Sequence, residues 1–575
     1  MIEPKYKNLN TLFTDRVFKI PKYQRYYSWG SKQRGDLFGD IRQLKEKGVD
    51  RDHFMATIVC YKTDEVKELG SREYRVYDIV DGQQRITTLI ILIKCIHNAL
   101  DPGEEKDELG KVIVKSDGHL VLLQTNNTNQ FLFNNFIRHG NFPQKGSVKT
   151  HADQNIYQGI KECNEFVTNW SADYGTPLSL LRIIKNKLGF VVFDTDDSRV
   201  VYSLFEVLNS RGLAVDWLDK CKSSLMGIAY ENAESEGARI SYIDELNDLW
   251  GNVYRELSKH PVPGQEVLRV AATLHTGPES GKPQKAESAL KSLADFCNSA
   301  DDTVRVSCWI LNVAKKLVQL QSDVHLGPVT NILQARVLAA AISLADSVNE
   351  QERDKLLKQW EKVTFRIYGL FAKDSRSKVG DYVRLASKIM NNSSGASRYS
   401  EIMDSLREIG SDYPVLRAIN EELRGKDIYD GNQEVVRYLL WRYEEHLANT
   451  SGKNAIVNEE LKAEIWQKRS ANDTIEHILP QNPEAGGAWD GKVTSKDPFN
   501  LIVNRIGNLI LLPQSLNSEA KRQGFLAKKA IYSQSEGLRI VKDVMSKDDW
   551  NEDEICKREE KILSWIENEW SDTTD

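Results

Sequence analysis

Glu476 and His477 stand side by side, Asn508 follows about thirty residues later, and Asn517 comes nine residues after that. Residues of these types can hydrolyse a phosphodiester with one divalent ion. A hard cation takes oxygen ligands, an imidazole deprotonates the attacking water, and a further oxygen ligand comes from a following helix. Glu476 and His477 would end a first strand. Neighbours on a strand face opposite ways, so the carboxylate reaches a metal while the imidazole faces water. Residues 506–512 would form the second strand, and Asn517 would open a helix running towards Ala530. With Glu476 and Asn517 as ligands, oxygen donors favour Mg2+ or Mn2+ over Zn2+. An isolated His-x-x-Pro is more often a satisfied turn histidine. Four positions in register reverse that balance.

A second stretch that can carry chemistry is Asp81-Gly82-Gln83-Gln84-Arg85. Asp81 reads as the N-cap of a helix, with Gln84 in capping-box register. The free amides of a helix start bind anions, and Arg85 in the first turn opposes the helix dipole unless a phosphate offsets it. Residues 20–29, IPKYQRYYSW, place Tyr23, Gln24, Arg25, Tyr27 and Trp29 together. Rings interleaved with cations suit stacking on bases while phosphate is held. Residues 205–212, FEVLNSRG, end a helix in a polar turn carrying Asn209 and Arg211, and Asp219 and Lys222 follow. Each segment alone has a plainer reading, an aromatic cluster for one and a glycine-closed helix end for the other.

The EHILPQ…GNLILL…N block resembles the HNH (ββα-metal) nucleases. Its nine-residue step from Asn508 to Asn517 is similar to that in the HNH domain of an RNA-guided CRISPR nuclease. The IPxYQRxYSW, DGQQR and FExLNSRG segments resemble the ParB-like N-terminal domain of GmrSD-type modification-dependent (type IV) restriction enzymes, the SspE and BrxU groups among them. The HNH block matches the C-terminal half of the same proteins, as does the closing Trp550, Ile555 and Arg558 pattern. The resemblance makes His477 the general base and Glu476 a metal ligand where relatives often carry aspartate. Asn508 becomes the asparagine that braces the loop, and Asn517 the last ligand. It implies that Asp81, Gly82, Gln83, Gln84 and Arg85, with Asn209 and Arg211, handle GTP or another nucleoside triphosphate. Tyr23, Gln24, Arg25, Tyr27 and Trp29 would line the nucleotide or modified-DNA pocket. Lys521 and Lys528, at helical spacing, would contact backbone phosphate. No Walker A glycine-lysine loop is present, so hydrolysis would use a different pocket.

The elements that must position these residues form an α+β, multidomain chain. Its 575 residues suffice for two or three domains. A ParB-like α/β domain is expected over 1–225, a mainly helical scaffold over 226–455, and a ββα-metal domain with a closing helix over 456–575. Residues 74–80 predict a strand that breaks at Asp81-Gly82 into a helix with Ile86, Leu89, Ile90, Ile93 and His97 on one face. A further strand is expected within 180–193, and a helix through Val201, Leu204, Phe205 and Leu208. Gly/Ser/Asp-rich breaks near 276–284, 391–397, 424–432 and 449–454 punctuate the helical middle.

The net charge of -6 advertises no global basic field, yet residues 505–547 hold eight Lys/Arg against three Asp/Glu. Such a local surplus can engage phosphate. Seven scattered cysteines without a Cys-x-x-Cys pair argue against a zinc ribbon or a disulfide framework and fit a reducing cytoplasm. The start has no signal-peptide pattern, and the longest apolar run, around 337–345, is too short to span a bilayer. The resemblance implies modified phage or plasmid DNA and a nucleoside triphosphate as partners; no membrane is expected, and a homodimer is among the assemblies open to it. Two rival readings remain, a nucleotide-hydrolysing regulator whose HNH half only binds nucleic acid, and an RNA-directed toxin.

Overall fold

The computed structural model describes residues 4–14, 16–46, 53–69, 72–115, 120–125, 131–196, 216–278, 280–329, 331–391, 398–450, 471–535 and 537–572. The fold is mixed α+β and mostly helical. It divides into two compact units, Met1–Pro278 with Pro283–Asp323, and Glu279–Lys282 with Val324–Asp575. The expected boundary at 225 lies inside a helix of the first unit, Trp217–Asn232, and the one at 455 lies outside the described residues.

The first unit holds strands β1 (Lys5–Asn8), β2 (Arg16–Ile20), β3 (His53–Leu69), β4 (Arg72–Asp81), β5 (Val114–Lys115), β6 (Leu120–Val121), β7 (Leu123–Thr125) and β8 (Leu188–Thr195). Six of them build one mixed sheet in the order β1-β8-β3-β4-β2-β7, and β5 pairs with β6. The β4 strand runs directly into helix α1 (Gln83–Ala99). The turn depends on Gly82, whose φ is +94° and whose added Cβ would lie 3.2 Å from the Ile58 side chain. Only glycine takes that conformation at no steric cost.

The expected one-faced helix is wrapped more completely than its pattern indicated. Every α1 residue from Ile86 to Ile96 is buried, because α2 (His151–Asp173) and the helix Pro177–Lys187 cover the face turned from the sheet. Thr87 and Thr88 tolerate this by donating their hydroxyls to the carbonyls of Gln83 and Gln84, at 2.8 Å each. Each large aliphatic side chain so buried contributes about 1.5–3 kcal/mol.

The strand expected within 180–193 is present and occupies the end of that range. Thr176 caps a helix with Pro177 in its first turn, and the strand begins only at Leu188. A capping threonine followed by proline is a helix-start signal that outweighed the apolar run. The helix expected at 201–208 lies outside the described residues. Helices α3 (Trp217–Asn232) and α4 (Glu236–Leu257) pack together later in this unit.

The second unit carries α5 (Gln433–Thr450), β9 (Ile475–His477), β10 (Leu509–Leu511), α6 (Gln514–Ala520), α7 (Phe525–Tyr532) and α8 (Glu552–Trp570). Asn551 caps α8, whose Ile555, Ile562, Ile566 and Trp570 are fully buried. This closing helix clamps the strand that follows the loop. Arg558 Nη1 donates to the carbonyls of Gly507 (2.7 Å) and Leu509 (2.9 Å), and Trp550 Nε1 donates to Asn508 Oδ1 at 3.1 Å. Gly507 permits the approach, since a Cβ there would lie 2.0 Å from the Ile555 carbonyl oxygen. Among the described residues no helix is long and apolar enough to cross a membrane.

Gly507→Ala therefore forces α8 away from the loop. The expected loss of stability is at least the 1–3 kcal/mol typical of overpacking. A urea unfolding curve on the variant should show the lowered midpoint.

Candidate functional site

In β9 and β10, His477 pairs with Leu509 and Glu476 with Ile510 in antiparallel register. Adjacent residues on β9 meet different partners, as strand geometry requires. Glu476, 4% exposed, meets α7. Its Oε1 accepts from Lys528 Nζ at 2.6 Å and from the Tyr532 hydroxyl at 2.9 Å. Burial raises the Glu476 carboxyl above its ordinary value, opposed by the Lys528 charge.

His477 meets the 424–432 break. Its ring lies edge-on to Tyr429, with centroids 4.6 Å apart, and its Nε2 is 3.0 Å from Asn504 Oδ1. Asn504 is itself held by Asp427. The Asn504 Nδ2 donates to Asp427 Oδ2 at 2.8 Å, while Asp427 Oδ1 accepts the amides of Tyr429 and Asp430 at 3.1 Å each. A carboxylate only accepts, so the Asn504 amide must face it with nitrogen and present Oδ1 to His477. Gln481 Nε2 donates to the same oxygen at 3.1 Å. His477 therefore carries its proton on Nε2 and keeps the lone pair on Nδ1. Burial is the main reason its imidazolium is pushed down to about 4, so the ring is neutral near pH 7.

Asn508, fully buried, is a brace rather than a reacting group. Its Nδ2 donates to the carbonyls of Leu479 and Val503, at 2.8 Å each, and its Oδ1 accepts from Leu479 N at 2.8 Å as well as from Trp550. Asn517 donates Nδ2 to the carbonyls of Asp473 (3.0 Å) and Ile475 (3.3 Å), so its Oδ1 is the atom left for a ligand.

Asn517 does not open a helix to Ala530. It sits midway in α6, which stops at Ala520 because Lys521 takes a φ of +33°. The chain restarts as α7, and that break changes what the lysines do. Lys521 and Arg522 stay exposed on a cleft of about 810 Å3 that Glu476, His477 and Asn517 also line. Lys528, expected on the DNA surface, has none of its surface exposed and pairs with Glu476 inside.

Among the described residues no group of three or more His, Cys, Asp and Glu side chains is placed to hold a metal. A cation here could rest on Glu476 and Asn517 Oδ1, with water and a substrate phosphate supplying the remainder. That donor set fits Mg2+, which keeps several waters and takes few protein carboxylates.

In the first unit, Asp81 ends β4 and is not the N-cap of α1. Gly82 takes that place without a side-chain cap. The two glutamines fasten the 20–29 segment to the helix start instead. Gln83 Nε2 donates to Arg25 O (3.1 Å), Gln84 Nε2 donates to Tyr26 O (3.0 Å), and Gln84 Oε1 accepts from Ser28 N (2.8 Å). Gln24 and Tyr27, expected in a pocket, are buried supports. Gln24 Nε2 donates to Val80 O, and the Tyr27 hydroxyl bonds to that of Thr88, both at 2.8 Å.

Two cations here keep partial exposure, Arg85 and Arg25, while a third, Lys222, does not. The half-buried Arg85 guanidinium lies 5.6 Å from the centre of the Trp29 ring, and burial lowers its pKa. Arg25 pairs with Asp219 at 3.6 Å, and Asp219 also accepts from Tyr254. Lys222 is buried between the Tyr23 and Tyr254 rings, and burial pushes its ammonium down to about 8. Asn209 and Arg211 lie outside the described residues.

Family comparisons agree at both ends of the chain. The family model for the GmrSD restriction endonuclease N-terminal domain matches residues 9–226, which include the glutamine-fastened helix start. The model for the C-terminal domain of GmrSD restriction endonucleases matches residues 413–565, from before Asp427 to past Arg558. The chain belongs to the GmrSD restriction endonuclease family. GmrSD membership makes it a nuclease of the restriction type, with DNA as substrate. No curated protein matches the chain.

Asp427 and Asn504 were absent from the sequence reading, although the 424–432 break and the nearness of Asn504 to Gly507-Asn508 were visible signals. Asp427→Ala frees the Asn504 amide to turn and loosens the His477 tautomer. Losing an orienting partner of this kind costs about 10- to 100-fold in activity. Plasmid nicking rates, with circular dichroism to confirm folding, check this.

Proposed function

We propose that this GmrSD chain is a modification-dependent DNA endonuclease of antiphage defence. In this reading a Mg2+-dependent HNH phosphodiesterase in the second unit is licensed by the first unit, which binds and hydrolyses a nucleoside triphosphate and senses modified DNA. The carrying observation is His477 Nε2 set 3.0 Å from Asn504 Oδ1, which leaves Nδ1 to accept a proton, on the same cleft as Glu476, Asn517 and two exposed cations.

A divalent ion held by Glu476 and Asn517 would supply charge stabilisation at the scissile phosphate and leaving oxygen. The chain supplies the rest. His477 takes the proton of the attacking water on Nδ1, while its Nε2 proton stays with Asn504, whose amide leans on the Asp427 carboxylate. The imidazolium that forms is thus stabilised without leaving its position. Asn508 keeps the loop at Leu479 still, and Lys521 and Arg522 hold flanking phosphates. In the first unit, the uncapped start of α1, with Arg85 beside it, supports binding of a triphosphate. All seven cysteines are unpaired, which supports a reducing cytoplasmic setting.

With Mg2+ and supercoiled plasmid, His477→Ala should abolish nicking while the fold persists. Full activity in that variant, or cleavage of RNA alone by the parent, would sink the assignment. Calorimetry should show GTP or ATP binding weakened by Arg85→Ala, and equal affinities would count against the pocket. Lys521→Ala with Arg522→Ala should reduce the slope of log affinity for DNA against log salt by about 2, one for each lost phosphate contact.

A further inference from the structure

We infer that Lys528 is a positioning residue that holds Glu476 in an ion pair until DNA arrives, so that the free protein binds a divalent cation weakly. The inference rests on the proposed reading of Glu476 as a metal ligand. Lys528 Nζ donates to Glu476 Oε1 at 2.6 Å and to the His477 carbonyl at 2.7 Å, and Tyr532 reaches the same Oε1 from one turn along α7. Two donors therefore occupy the carboxylate oxygen, and the ammonium cancels its charge.

The remaining ligand, Asn517, is neutral. Glu476, Lys528 and Asn517 together carry no net charge, and a hard divalent ion gains little from leaving water for such a set. A DNA phosphate supplies the missing negative charge. It also arrives beside Lys521 and Arg522, which stand on the cleft a few residues before Lys528 on the same short stretch of chain. Surface phosphate contact and the buried ammonium are thus joined by one turn and the start of α7. A cation that bound before DNA would have to compete with a lysine already in place. One that binds with DNA would share the carboxylate with it.

The test follows Mn2+ binding by electron paramagnetic resonance in the full chain carrying His477→Ala, so that a short duplex is not cut. Without DNA, adding Lys528→Met is expected to tighten Mn2+ at least 10-fold, and adding Glu476→Gln should erase that gain. The duplex should tighten Mn2+ much more when Lys528 is present than in its absence. Lys528→Gln, which can still donate to Glu476 without charge, serves as a second variant and should share the gain. Circular dichroism selects the folded one. If neither variant tightens Mn2+ while the duplex still gives Glu476-dependent binding, the role of Lys528 is overturned and the metal-ligand reading stands. If no condition gives Glu476-dependent binding, the metal-ligand reading itself falls, and the inference with it.

Discussion

A carboxylate can accept hydrogen bonds but cannot donate them, and the cleft of the second unit depends on that constraint at Asp427. Three donors converge on it, the amides of Tyr429 and Asp430 and the Asn504 Nδ2. The Asn504 oxygen is left facing His477, and the imidazole proton must lie between them. A residue fifty positions before the histidine thereby decides which ring nitrogen keeps its lone pair, the atom on which the proposed role as a base rests. Burial alone would keep the ring neutral, yet it would leave the tautomer open.

The loop that carries His477 is held by a second, separate constraint. The Asn508 amide donates twice and accepts twice in a dry interior, tying Leu479, Val503 and Trp550 together. Each partner left unmatched would cost roughly 1–3 kcal/mol. Trp550, just before α8, and Arg558 within it close the arrangement, so this segment is part of the site's support. The buried Lys528–Glu476 pair joins β9 to α7. Removing one partner of such a pair typically costs about 3–5 kcal/mol, so it fixes the geometry whatever its net contribution.

Much of the arrangement was legible in the sequence, in elements where local chemistry decides. The β4 strand and α1 followed from alternation broken at Gly82. The cap at Asn551 followed from residue type and position, whereas the brace role of Asn508 came only through the family resemblance. What escaped was set by tertiary packing. Asp427 and Asn504 lie 77 residues apart and meet only in the fold. Lys528 was assigned to the surface by counting helical turns from Asn517. The strained Lys521 ends that helix, and the restarted α7 turns Lys528 inwards. Asp81 has the right residue type for a cap, yet β4 extends through it and Gly82 makes the turn. Gln24 and Tyr27 look like contact residues by composition, but the fold spends their polar atoms on Val80 and Thr88.

The Asp427–Asn504 pair holds the His477 ring with its lone pair on Nδ1, the state that its proposed role as a base requires. Nitrogen-15 resonance of ring-labelled histidine, assigned by comparison with His477→Ala, reads this state directly. A single tautomer protonated on Nε2 is expected at neutral pH in the unmutated chain. A His477 ring protonated on Nδ1, or charged at that pH, would contradict it.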